Sequence, residues 1–229
     1  MDSMEDFLKA QPPTALRPLL GQTVLAVEDS RYACEAIRLV CLRSGARIRR
    51  ADCLSSARRH LRVYRPSVVL VDLGLPDGPG LELIAELAAA AGDGVLLAMS
   101  GDDTLAQTAL ETGAQGFLSK PIASIAAFQT EVLRHLPRDR QPRGPRAIAD
   151  DAVTPDSIAF QDDIAHAVEA LGAGEAAYAA QFVESLARCV GDNTLLRQAE
   201  RLGWAPESAA EGARLQTMLS ERQGKREAV

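Results

Sequence analysis

Between Thr23 and Leu136, five short strand-like runs, one of them a weak strand that alternates apolar and basic residues, are separated by stretches of helical periodicity, and this alternation constrains the fold more than any other feature. The runs are TVLAV (23–27), ARIRRA (46–51), SVVLVD (67–72), VLLAMS (95–100) and GFLSK (116–120). Three are apolar almost throughout, the mark of strands covered on both faces. The helical stretches between them carry stop and start signals. Ser30 can cap a helix with the apolar stripe Ala33, Ala36, Ile37, Val40 and Cys41, and Gly45 stops it. Further helices are predicted over Leu54–Tyr64 before Pro66, about Leu81–Ala90, Thr104–Thr112 before Gly113, and from Pro121 to about Leu136. Strands alternating with helices imply a parallel sheet with right-handed crossovers. Ligands of such sheets sit beyond the carboxyl ends of the strands.

The residues at those ends are Glu28, Asp29, Asp72, Ser100 and Lys120. Crowded carboxylates repel one another, and a hard divalent cation relieves them, with carboxylate oxygens, a carbonyl and waters as ligands. Asp72, at the tip of the central strand, is placed to act as a nucleophile toward phosphorus. Lys120 would meet the transferring phosphoryl oxygens as a point charge, and Ser100 could donate to another of them. Gly101 leaves room beside Ser100. Lysine is rare, with arginine supplying 22 of the 25 basic residues, so a lysine at 120 suggests a need for a compact ammonium. Other phosphate chemistries fit worse. No GxxxxGK[ST] or GxGxxG is present, and position 74 is Gly where a dehalogenase-like phosphatase needs a second Asp.

The set VEDS (27–30), VDLGLPDGPG (71–80), MSG (99–101) and GFLSKP (116–121) resembles the receiver domain of two-component response regulators over about residues 21–137. The resemblance implies an α/β fold, a flavodoxin-like doubly wound five-stranded parallel sheet. It implies Asp72 as phosphoacceptor, Glu28 and Asp29 as the acidic pair, and the Gly74 main-chain carbonyl as a further ligand of Mg2+ (or Mn2+). It also implies Ser100 and Phe117 as switch residues, Lys120 as the invariant lysine, and a Lys120–Pro121 bond that is often cis. The donor it implies is a sensor histidine kinase or a histidine phosphotransfer protein. A receiver supports its own phosphorylation and dephosphorylation, and no separate enzymatic output is recognised. Asp102 puts a further carboxylate on the rim of the site, read as a solvated loop residue.

The expected organisation is an extension over residues 1–20, the receiver over 21–137, a Pro/Arg-rich linker over 138–150 and a small all-α region over 151–229. Residues 1–150 carry 18 acidic and 18 basic side chains, whereas 151–229 carry 13 and 7, so the net charge of −6 lies wholly in the tail. The tail is expected to bind a protein partner or to self-associate. The alternative is a DNA-binding transcription regulator with a divergent helix-turn-helix in 192–222, but its would-be recognition helix carries Glu207 and Glu211 and no basic residue before Arg214. His166 lacks the lysine and glycine that follow a phosphotransfer histidine, and Tyr178, Phe182, Leu186 and Val190 read as a core stripe. Cys34, Cys41, Cys53 and Cys189 form no zinc-like pattern and read as small hydrophobes. An acidic N-terminus and the lack of a long apolar run point to a cytoplasmic protein with no membrane segment.

Overall fold

The computed structural model describes residues 12–90, 92–144 and 151–224. The first eleven residues of the expected extension and residues 145–150 of the expected linker lie outside the described residues. Two compact units are present. Among the described residues, one is the chain up to Asp29 together with those of Ala36–Thr154, and the other is Ser30–Glu35 together with those from Pro155 onward.

In the first unit, β1 (Thr23–Val27), β2 (Arg47–Ala51), β3 (Val68–Asp72), β4 (Val95–Ser100) and β5 (Gly116–Ser119) form one parallel sheet in the order β2-β1-β3-β4-β5. The helices are α1 (Arg31–Ser44), of which Ala36–Ser44 belongs to this unit, α2 (Leu54–Val63), α3 (Gly80–Ala89), α4 (Ala106–Thr112) and α5 (Ile125–His135). Side chains alternate across the sheet and build two apolar layers. Val24, Ala26, Val68, Leu70 and Leu97 pack with Ile37, Val40, Phe128 and Val132 on one side. Leu25, Val27, Val69, Val71 and Leu96 pack with Leu54, Ala57, Leu83 and Ile84 on the other. Phe128 is fully buried, and burial of such a side chain is worth roughly 2–3 kcal/mol. Strand order reverses between β1 and β3, which opens the crevice at the carboxyl ends of these strands.

Three details differ from the sequence expectation. The turn-rich stretch 73–80 contains a small hairpin in which Gly74–Leu75 pairs with Gly78–Pro79. The helix expected from Thr104 opens as a 3-10 turn, Asp103–Leu105, capped by the Asp102 carboxylate. The packed unit also reaches past both expected receiver boundaries. Leu19 is fully buried, and its amide donates to the Ser44 carbonyl at 2.9 Å. After the linker, Val153 N donates to Ala123 O at 2.9 Å and Ala152 bridges Ser124.

The second unit holds α6 (Ser157–Gly172), α7 (Ala176–Val190), α8 (Asn193–Trp204) and α9 (Ala209–Gly224). Asp156 and Asp192 cap α6 and α8, and Gly191, at φ 71°, ends α7 in the left-handed conformation that glycine tolerates. Phe182, Val183 and Leu186 form its core with Ile164, Leu195, Leu202 and Leu215. Within this unit Asp163 is buried and accepts from Ser30 Oγ (2.7 Å), Arg31 N (2.7 Å) and Tyr32 N (3.0 Å). Ser30 in turn accepts from Ala33 N at 3.0 Å, the cap that its position suggested. Among the described residues no helix is long and apolar enough to cross a membrane.

Candidate functional site

Strand ends deliver the charged side chains and the hydroxyl of the site. Asp72 and Ser100 are the last residues of β3 and β4, Glu28 and Asp29 follow β1, and Lys120 follows β5. The ladder fixes their backbones. Glu28 N donates to Ala51 O at 2.8 Å, Leu73 N to Met99 O at 3.1 Å, and Lys120 N to Ser100 O at 2.8 Å. Glu28, Asp72, Ser100 and Lys120 are all buried. Burying charges is costly unless they are paired. The pairing is supplied by Lys120, whose Nζ lies 2.7 Å from Glu28 Oε2 and 3.0 Å from Asp72 Oδ2.

One cation against several carboxylates leaves an excess of negative charge. Burial, opposed by Lys120 and reinforced by Glu28, pushes the Asp72 carboxyl up from 3.8 to about 7. The Gly74 amide also donates to Asp72. Glu28, Asp29 and Asp72 each offer a carboxylate oxygen, all within 4.8 Å of one another. A set of hard oxygen donors with surplus charge fits a hard divalent cation and no soft metal.

Ser100 Oγ accepts from Asp102 N at 3.1 Å, so the hydroxyl is tied to the following turn. Gly101 lies between them, half-buried. Asp102 is not merely solvated: its Oδ1 accepts from Thr104 N (2.9 Å) and Thr104 Oγ1 (2.7 Å). Phe117 is partly buried and packs on the cluster that holds Leu96 and Ala109. The Lys120–Pro121 peptide is cis. His166 is exposed, with Nε2 2.8 Å from the Tyr178 hydroxyl, in the other unit.

Two supporting residues escaped the sequence reading. A Cβ on Gly80 would collide with the Asp72 main-chain carbonyl, so only glycine lets α3 begin against the tip of β3. Asp77 accepts from Leu54 N (2.7 Å) and Ser55 N (2.9 Å), capping α2 from the loop that follows Asp72. The signal for both was the PDGPG string, which reads equally well as a plain turn.

Residues 24–130 match the family model described as "Response regulator receiver domain", and this part of the chain is such a domain. Among curated proteins, the KDP operon transcriptional regulatory protein KdpE of Escherichia coli is 32% identical over 99 residues, 43% of this chain and 44% of that protein. The transcriptional regulatory protein CitB of Klebsiella pneumoniae is 37% identical over 75 residues, 31% of this chain and 32% of that protein. The chain thus spans half or less of the length of these relatives. Among solved structures, a response regulator of Burkholderia pseudomallei with a phosphorylated aspartic acid, calcium ion and citrate is 25% identical at TM-score 0.45, covering 48% of this chain and 66% of that one. A CheY-like receiver domain of Methylobacillus flagellatus is 28% identical at TM-score 0.45, covering 49% and 96%.

Proposed function

We propose that the chain is a two-component response regulator whose Asp72 accepts a phosphoryl group. The observation that carries this reading is the convergence of Glu28, Asp29, Asp72 and Lys120 at the ends of β1, β3 and β5, with Lys120 Nζ 3.0 Å from Asp72. The donor would be a phosphohistidine on a sensor kinase or a histidine phosphotransfer protein. An Asp72 oxygen attacks phosphorus, the P–N bond breaks, and the imidazole leaves with its electron pair. Mg2+ held by Asp29, Asp72 and the Gly74 carbonyl, with Glu28 beside them, supplies charge neutralisation at the transferring group when bound. Lys120 stabilises the phosphoryl oxygens, and the Ser100 hydroxyl exchanges the Asp102 amide for one of them. Phe117 then turns toward the space that Ser100 leaves.

On this reading the chain has no separate enzymatic output. It works in the cytoplasm, and the four-helix unit binds a protein partner or a second copy. Its acidic excess supports that choice over a DNA-binding output in 192–222, which the names of the relatives favour. Incubation with Mg2+ and a small acyl-phosphate donor should give an acid-stable, base-labile phosphate on the parent and none on Asp72→Asn. Equal labelling of the two proteins sinks the assignment.

A further inference from the structure

Away from the phosphorylation site, positive charge collects on one shoulder of the sheet. From Arg38 to Arg65 the sequence holds nine arginines and one acidic residue, Asp52, in a chain of net charge −6. Strand β2 is an edge strand, and its register sets Arg47 beside Thr23 and Arg49 beside Leu25. Leu25 belongs to the layer that packs on Leu54 and Ala57 of α2, so Arg47 and Arg49 stand on the side of the sheet that α2 covers. Helix α2 adds Arg59 and Arg62, and Arg65 follows its end; all five are exposed.

These guanidiniums are not neutralised locally. Arg58, the remaining arginine of α2, is paired with Glu86 at 2.6 Å. Arg49 and Arg65 donate only to carbonyls, of Ile48 (3.2 Å) and Leu61 (2.7 Å). Among the described residues none of the five forms an ion pair with a carboxylate. Each therefore keeps a full charge and a planar fork of donors suited to phosphate oxygens.

The rest of the shoulder says which anion fits. Protein interfaces carry aromatic or aliphatic anchors at their centre, and the exposed side of α2 offers only Val63, 84% exposed. Stable adhesion to a bilayer needs a second, apolar signal beside the charge, which one valine does not supply. Binding to a nucleic-acid backbone runs on charge alone. We propose that the β2–α2 shoulder binds the phosphate backbone of duplex DNA without reading its sequence. The proposal is independent of phosphoryl transfer at Asp72 and assigns DNA contact to the receiver rather than to the acidic tail.

The test is fluorescence anisotropy of the full chain with a labelled duplex of arbitrary sequence across a salt series. Five phosphate contacts predict that the logarithm of the association constant falls with log salt at a slope of about −4 to −5. The charge reversal R49E/R59E/R62E should weaken binding at least about tenfold at low salt, and R62E alone should flatten the slope by about one. The variants should still label at Asp72, which shows that they fold. No binding at low salt, equal binding by parent and variants, or binding to phosphatidylglycerol vesicles but not to DNA would each overturn the proposal.

Discussion

Lys120 Nζ lies 2.7 Å from Glu28 Oε2, closer than its 3.0 Å approach to Asp72, so the buried ammonium is shared by two carboxylates and the tighter contact is to Glu28, not to the proposed phosphoacceptor. Both members of the tighter pair are almost wholly out of solvent, with side-chain exposures of 1% and 0%. Such a pair gains from Coulomb attraction and loses from desolvation, and the balance depends on both partners being present.

Removing the cation exposes that balance. Lys120→Ala leaves Glu28 and Asp72 buried without their ammonium, and breaking a buried pair costs about 3–5 kcal/mol. A divalent cation can take over part of the neutralisation, so the deficit should shrink as Mg2+ is added. Urea denaturation of parent and variant, with and without Mg2+, measures both quantities. A deficit that ignores Mg2+ would mean that Lys120 and the metal do not compensate the same charge.

The titration of Asp72 sets the pH dependence of the ion-free protein. Its carboxyl rises from 3.8 to about 7 on folding, chiefly through burial. A raised carboxyl contributes stability that is complete below the unfolded value and is lost as pH rises through the folded one. The loss therefore runs from about pH 4 to about pH 7 and amounts to at most about 4 kcal/mol. Without divalent ions, Asp72→Asn should be more stable than the parent at about pH 8 and should lose that advantage at about pH 4. Protons also compete with metal, so Mg2+ should bind more tightly above pH 7 than below it. Thermal melts across pH and Mg2+ titrations by NMR test both statements.

The loop after Asp72 is held by two residues of opposite kinds. In Gly80→Ala the new methyl meets the Asp72 carbonyl, which is backbone and cannot swing away. The expected cost is on the order of 3 kcal/mol or more, with loss of phosphoryl labelling. Asp77→Ala removes the cap of α2 and should cost about 1 kcal/mol. Partial burial disfavours the Asp77 carboxylate, but the Ser55 and Leu54 amides outweigh burial and hold its pKa below the ordinary value. Its contribution is thus present above about pH 4 and is lost as pH falls through the folded value, so parent and Asp77→Ala should converge in acid. Chemical denaturation of the two proteins at neutral and acid pH checks this.

What the sequence revealed follows from where its information is local. Buried parallel strands are apolar run by run, so VVLVD and VLLAMS disclosed β3 and β4, and their last residues disclosed Asp72 and Ser100. The Lys120–Glu28 contact was not legible, because it joins positions 92 residues apart in sequence and depends on β1, β3 and β5 ending at one level. Asp77 was hidden for the same reason. Its partners, Leu54 and Ser55, lie 23 and 22 residues upstream, and nothing in PDG distinguishes a turn former from a distant cap. Asp163 was a further case: a charged residue on a helical stretch reads as solvated until its three donors from 30–32 are seen. The burial of Leu19 was not legible either, since it is one apolar residue in a polar, proline-bearing stretch and carries no periodic signal.

The return of the chain at Ala152–Val153 gives the proposed switch a short route beyond the site. Lys120 begins the segment that leads to Ala123 and Ser124, and those two residues hold Val153 and Ala152 through one backbone hydrogen bond and one bridge. Val153 also packs on the core cluster that contains Ile122 and Ile125. Any rearrangement of Lys120 toward a phosphoryl group therefore reaches the chain after the linker through three residues. A single backbone bond and a partly buried valine are worth about 1–2 kcal/mol together, weak enough to open when the loop moves. Addition of beryllofluoride with Mg2+ should raise hydrogen exchange at Val153 together with residues 121–124. Val153→Asp should raise exchange there without the mimic, while leaving labelling of Asp72 intact. If residues 121–124 respond to the mimic and Val153 stays protected, the clip is a fixed anchor and the signal leaves the receiver by another face.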